Sequence, residues 1–213
     1  MKIFYGKQSI DKSDISSIVK ASKSEKITQG SSVTKFEKSL SSFFKSKYSS
    51  VVSNGTAALH LSVKSLRLRK NSKIILSPNT FFSSAYTIIM NNLIPDFSDI
   101  EKQTYNLDLN KLEDKIKKDK SVKAIMAVDY AGHPCDWKSL SFLKKKYNLF
   151  LINDNCHSMG SKINGNTGYA CKFADLVTQS YHPVKNFTTG EGGSILTNNL
   201  SFFKEIIEIS YFI

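Results

Sequence analysis

One lysine lies in a stretch dense with turn-formers, Ser180-Tyr181-His182-Pro183-Val184-Lys185-Asn186-Phe187-Thr188-Thr189-Gly190-Glu191-Gly192-Gly193. Most lysines are exposed and inert. One that follows a strand end among Pro and Gly is placed to lose water, and desolvation moves an amine toward a nucleophile or proton carrier. A second group is Leu151-Ile152-Asn153-Asp154-Asn155-Cys156-His157, which puts a carboxylate at the end of a buried strand. Unpaired burial is costly, so Asp154 needs a cationic partner or several hydrogen bonds. A protonated pyridinium nitrogen is one such partner; a neighbouring helix to be capped is the plainer alternative. His157 reads as structural at least as readily as catalytic. The third group, Ser53-Asn54-Gly55-Thr56-Ala57-Ala58, falls at a strand-to-helix turn. Its unpaired amides and the helix dipole suit a phosphate, although a well-capped helix with Asn54 or Thr56 as cap explains the same residues.

These groups need a scaffold that brings strand ends together. Alternation of short β-branched runs with amphipathic stretches predicts strands over 48–53, 73–76, 94–97, 122–128, 149–152, 175–179 and 193–197. Helices are expected from 56 to 66, 83–91, 110–118, 137–147 and 202–208. The alternation argues for an α/β fold: a mostly parallel mixed sheet with helices on both faces. Function in such sheets collects where strand ends meet loops and helix N-termini. The groups of interest fall there.

Composition narrows the partners. Apolar content of 40% and charged content of 23% are ordinary for a soluble globular protein, and 213 residues suffice for one good core. No apolar run approaches the length needed to cross a bilayer, and the opening residues turn polar too early for a secretory signal, so a cytoplasmic location without membrane contact is expected. The net charge of +12 raises the question of nucleic acid, but the lysines are scattered among Ser, Asp and Glu, and there are only two arginines, Arg67 and Arg69. Neither clustered arginines nor a stacking platform for single strands is visible, so no nucleic-acid partner is expected. The three cysteines, Cys135, Cys156 and Cys171, have no CxxC spacing; neither a disulfide framework nor a metal site is implied.

The ordered set Ile27-Thr28-Gln29-Gly30, Ser53 to His60, Thr80-Phe81, Asp154-Asn155-Cys156-His157 and Ser180 to Lys185, followed by Thr188 to Gly193, resembles the DegT/DnrJ/EryC1/StrS aminotransferases. His182-Pro183-Val184-Lys185 and Gly132-His133-Pro134-Cys135-Asp136 resemble the branch that aminates 4-keto-sugar nucleotides toward pseudaminic-acid-like sugars. The resemblance implies the large domain of a fold-type I transferase that depends on pyridoxal 5′-phosphate (PLP). Residues 1–30 would be an N-terminal segment and 31–213 the PLP-binding large domain, incomplete at its C-terminus and without the family's C-terminal small domain. Lys185 would anchor the cofactor covalently and move protons. Asp154 would pair with the pyridine nitrogen, Phe81 would stack on the ring, and His157 would sit near the ring hydroxyl. Gly55, Thr56, Ala57 and Ser180 would hold the phosphate. The implied partners are an amino-acid donor, glutamate, and a keto-sugar nucleotide acceptor, in a homodimer.

The sequence departs from the family at several places. Asn153 replaces the usual Glu before Asp154, Tyr86 takes a position that is usually small or amide-bearing, and Asp129 falls where a histidine is common, which puts local substrate contacts in doubt. After 208 the chain does not lead into the expected arginine-and-histidine stretch, so low turnover of this chain alone is expected. Three other readings stand beside transamination. One is sugar dehydration, for which family members replace the anchoring lysine with histidine. Another is a non-catalytic relative that binds a full-length enzyme, and the last is the nucleic-acid module already weighed.

Overall fold

The β-branched runs form one seven-stranded sheet in the computed structural model, which describes residues 6–210. Residues 1–5, read above for a signal, and 211–213, part of the stretch after 208 read above, lie outside the described residues. The strands are β1 (Tyr48–Val52), β2 (Lys73–Leu76), β3 (Ile94–Phe97), β4 (Val122–Val128), β5 (Phe150–Asp154), β6 (Leu176–Ser180) and β7 (Gly193–Thr197). Their order is β1-β7-β6-β5-β4-β2-β3. From β3 to β6 every pairing is parallel, and β7 runs antiparallel to both β6 and β1. The mixed, mostly parallel sheet expected from the alternation is present.

The helices are α1 (Lys12–Ser22), α2 (Ser31–Phe44), α3 (Gly55–Ser65), α4 (Phe82–Met90), α5 (Leu109–Lys118), α6 (Trp137–Tyr147), α7 (Tyr169–Phe173) and α8 (Leu200–Ser210). They cover both faces. On one, α2, α5, α6 and α7 pack Leu40, Phe44, Leu112, Trp137, Leu140 and Tyr169 against Ile125, Leu151 and Val177. On the other, α3, α4 and α8 pack Leu59, Ile88 and Ile206 against Ile74, Met126 and Ile152. Successive residues of a strand alternate between these two cores, as the two-residue period requires. Helix α2 was not evident from the sequence because its apolar positions, Val33, Phe36, Leu40 and Phe44, are set among serines that are weak helix formers. Helix α1 is held by an Asp11–Asp14 capping box but buries none of its residues.

At the C-terminal end of β4 a carboxylate organises the α6 side of the sheet. Asp129 is fully buried. Its Oδ1 accepts from Cys135 N (2.8 Å) and Trp137 Nε1 (2.9 Å). Its Oδ2 accepts from Tyr169 O–H (2.7 Å), Asn155 Nδ2 (2.8 Å) and Asn153 Nδ2 (3.4 Å). Burial pushes this carboxyl up, while those donors oppose the shift. One side chain thus ties α6, α7, β5 and the loop after β5 together. Asp129→Ala leaves these donors without an acceptor in a dry interior, and should lower the unfolding free energy by about 3 kcal/mol or more. Urea unfolding followed through Trp137 measures it; a loss below about 1 kcal/mol would remove the network as an organiser of the fold.

Candidate active site

The C-terminal ends of β4, β5 and β6 and the N-terminal ends of α3 and α4 enclose a cavity of about 600 Å³. Of the residues singled out from the sequence, Gly55, Thr56, Phe81, Asp154, His157, Ser180 and Lys185 all line it. Ala57 does not: its N–H is donated to Asn54 Oδ1 (2.8 Å), the cap of α3, and is not free for a ligand. Asn54, not Thr56, is therefore the helix cap.

The turn into α3 is built on missing side chains. A Cβ on Gly55 would stand 2.7 Å from Ser180 Cβ, and one on Gly193 would stand 2.4 Å from Asn54 O. Only glycines let the helix N-terminus approach the strand ends this closely. The first-turn amides of Gly55 and Thr56 have no intrahelical acceptor. With the Ser180 hydroxyl, and Thr56 Oγ1 hydrogen-bonded to Ser83 Oγ (2.8 Å), they form a small neutral cradle of donors suited to an anion.

Asp154 is 4% exposed. Its Oδ2 accepts from Ser84 Oγ (2.7 Å) and its Oδ1 from Cys156 N (3.3 Å). Ser84, also buried, is oriented by Thr80 Oγ1 (2.8 Å). Among the described residues no Lys, Arg or His lies within ion-pair distance of Asp154. A buried carboxylate with two donors and no cation is matched to a cationic ligand that enters the cavity. Phe81 stands at the start of α4, 68% exposed as a residue, and lines the cavity.

Lys185 is carried on the loop that joins β6 to β7. Tyr181, fully buried, anchors this loop: its N–H donates to Gly192 O (2.8 Å), and its carbonyl accepts from Thr188 Oγ1 (2.8 Å) and Thr189 N (3.1 Å). Its ring packs edge-on against Phe36 and Phe187, and its O–H pairs with Ser194 Oγ (2.6 Å). The lysine is thereby half-buried on a loop closed at both ends. His157 is half-buried too; loss of water and then the Lys185 ammonium hold its imidazole below the usual range, against the pull of Asp154. Burial and the Asp154 carboxylate keep the Cys156 thiol well above its ordinary value, hence protonated.

Residues 8–212 match the DegT/DnrJ/EryC1/StrS aminotransferase family. The chain belongs to that family. A UDP-4-amino-4,6-dideoxy-N-acetyl-beta-L-altrosamine transaminase of Campylobacter jejuni is 37% identical over 206 residues, covering 96% of this chain and 54% of the relative. Among solved structures, Helicobacter pylori PseC, an aminotransferase involved in the biosynthesis of pseudoaminic acid, superimposes with a TM-score of 0.91 at 28% identity, over 97% of this chain and 55% of its own. The PLP form of a putative sugar aminotransferase, Spr1654 from Streptococcus pneumoniae, gives 0.90 at 27% identity, over 99% and 58%. The chain thus spans about half the length of the relatives it matches. PLP is the cofactor of this family, and the cavity fits it: a neutral cradle for its phosphate, an unpaired carboxylate for its ring nitrogen and a lysine for its aldehyde.

One feature of the site, Ser84, escaped the sequence reading, and another, Asp129, was read as an altered substrate contact. Ser84 looks like filler in a helix, yet Ser83, Ser84 and Thr87 form a hydroxyl stripe on the buried side of α4, where apolar residues would be expected. Asp129, set against the family's histidine, shares the face of Ala127 and Trp137 and points away from the cavity that Val128 and Asp154 line.

The electrostatics can be checked directly. His157 should titrate below 6.5, its ordinary value, in an NMR-monitored titration. Lys185→Ala removes a positive charge that opposes the imidazolium, so the midpoint should rise yet stay below 6.5, because burial is the larger cause. An unchanged midpoint would mean that the Lys185 amine does not face His157.

Proposed function

We propose that this chain is the cofactor-bearing part of a PLP-dependent aminotransferase that moves an amino group from glutamate to a keto-sugar nucleotide, in the synthesis of amino sugars for surface polysaccharides. The observation that carries this reading is Asp154, a carboxylate 4% exposed that faces a lysine-lined cavity and has, among the described residues, no cation within ion-pair distance. The relatives named as sugar transaminases support the substrate class.

Bound PLP supplies an electron-poor ring that takes up the electron pair left when a proton leaves the carbon bearing the amino group. The residues of the chain do the rest. The Gly55 and Thr56 amides, with the Thr56 and Ser180 hydroxyls, would hold the phosphate without adding a positive charge. Asp154 would keep a proton on the ring nitrogen, and its hydrogen bond from Ser84 fixes the carboxylate oxygen that remains. Phe81 would cover a ring face and exclude water from it. The Lys185 amine would bind the aldehyde carbon at rest and, once displaced by the donor, move a proton between the donor's α-carbon and the cofactor. His157, held neutral, would offer a hydrogen bond at the ring hydroxyl without adding a second positive charge beside the protonated ring nitrogen. Lys185 in place of histidine favours amino transfer over dehydration.

The test is an absorbance spectrum of the purified chain mixed with PLP, beside Lys185→Ala. A long-wavelength band that survives desalting in the parent, disappears in the variant and is bleached by glutamate is expected. A parent that retains no band after desalting would remove the reading.

A further inference from the structure

The start of α4 directs its hydroxyls away from the helix itself. The N-cap position is held by Phe81, which makes no side-chain cap bond, although Thr80, Ser83 and Ser84 stand around it. A hydroxyl at the cap would stabilise the helix. The three present bond instead to other side chains: Thr80 Oγ1 to Ser84 Oγ (2.8 Å), Ser84 Oγ to Asp154 Oδ2 (2.7 Å), and Ser83 Oγ to Thr56 Oγ1 (2.8 Å). Both serines are buried, and serine is a weaker helix former than alanine and costs more to bury. Neither helix stability nor packing explains them.

Proton accounting gives these contacts a direction. Each hydroxyl has one proton to give, and an ionised carboxylate only accepts. Ser84 therefore donates to Asp154, and Thr80 must donate to Ser84. Between Ser83 and Thr56 either oxygen can be the donor. An anion in the cradle decides it: Thr56 gives its proton to the anion, and Ser83 gives its own to Thr56. Thr56 and Asp154 belong to different elements, α3 and β5, and both line the cavity. The two serines that brace them are adjacent, so one peptide unit, about 3.8 Å between Cα atoms, fixes the spacing of the braces. Ser84 does not line the cavity and can act there only through Asp154.

We propose that Ser83 and Ser84 are paired positioning residues, one for each end of the cofactor: Ser83 sets the Thr56 hydroxyl for the phosphate, and Ser84 sets the Asp154 carboxylate for the ring nitrogen. This rests on the reading of the cavity given above and deepens it. Phe81 lies on the same turn, so contacts to phosphate, ring nitrogen and ring face are referred to one rigid piece of backbone. Each serine nevertheless serves a separate end, and the two effects come apart when the ligand carries only one of those ends.

The test measures dissociation constants of the purified chain for PLP, for pyridoxal, which lacks the phosphate, and for inorganic phosphate. Parent, Ser83→Ala, Ser84→Ala and Thr87→Val are compared. Thr87 lies on the same buried side of α4 and its hydroxyl donates to Ser84 O (3.3 Å), so its variant disturbs the helix without removing either brace. Ser83→Ala should weaken PLP and phosphate about fivefold and leave pyridoxal within about twofold of the parent. Ser84→Ala should weaken PLP and pyridoxal about fivefold and leave phosphate within about twofold. Thr87→Val should leave all three within about twofold. Equal losses for all three ligands in a serine variant, absence of loss in one of them, or a PLP loss in Thr87→Val as large as theirs would each overturn the pairing. Those results beside a normal PLP band in the parent leave the cofactor reading standing. A parent that retains no PLP would remove both.

Discussion

Everything in the cavity depends on how closely the N-terminus of α3 is seated against the ends of β6 and β7. There is no room for a side chain at Gly55 or Gly193. With a Cβ at either position the helix would have to back away, carrying its unpaired amides and Thr56 out of reach of Ser180. The antiparallel β7 completes the constraint. Because β6 returns directly into β7, with Ser180 opposite Gly193, the lysine loop between them is a closed hairpin and not a crossover. A crossover of the length a parallel partner needs would swing its lysine over a helix layer. The reversal of one strand keeps Lys185 above the same edge that Asp154 and the α3 amides occupy.

The sheet end also carries two buried carboxylates whose surroundings assign them different work. Asp129 and Asp154 close adjacent strands and face opposite layers. Asp129 is saturated by neutral donors from α6, α7, β5 and the loop beyond, so its charge is spread over fixed dipoles and asks for nothing further. Asp154 receives one hydroxyl and one long amide contact, and opens on the cavity. The unfinished shell marks the group that meets a ligand; the finished one marks the group that holds the wall. Asn155 joins them, because its amide reaches Asp129 while the residue before it is Asp154 itself. Rigidity behind the cavity and reactivity within it are thus consecutive in the chain.

Much of this was legible beforehand, for identifiable reasons. The central strands announced themselves because burial on both faces leaves near-continuous apolar runs, as in Ala124 to Val128. The cradle was legible because close backbone approach demands glycine, and the Asn54-Gly55 pair shows in one dimension. Other parts were hidden because their cause is non-local. Helix α2 is specified by a sparse apolar stripe that only its packing on β1 and α7 makes decisive. Ser84 gains its meaning from a carboxylate seventy residues away. Asp129 looked like an altered substrate contact, since alternation along β4 gives its face but not that the opposite face is the one lining the cavity. Ala57 looked like a phosphate ligand because proximity in sequence does not reveal that Asn54 has already taken its amide.

The cavity and the groove beside it are built by different means, and this separates what the fold must conserve from what it can vary. The inner part of the cavity consists of backbone amides, small hydroxyls and one carboxylate, all held by strand ends and helix starts that cannot shift without disrupting the two cores. The groove consists of rings on two surface turns, those of Tyr105 and Tyr130, braced by Asn106 and outside the strands of the sheet. Chemistry that recurs in every turnover belongs on the first kind of support, and recognition that differs between substrates belongs on the second. The positive φ at Tyr105 and Ala131 is the physical cost of the second kind: two turns closed by their own backbone and braced to each other by the Asn106 amide, with the Tyr105 side chain left in solvent.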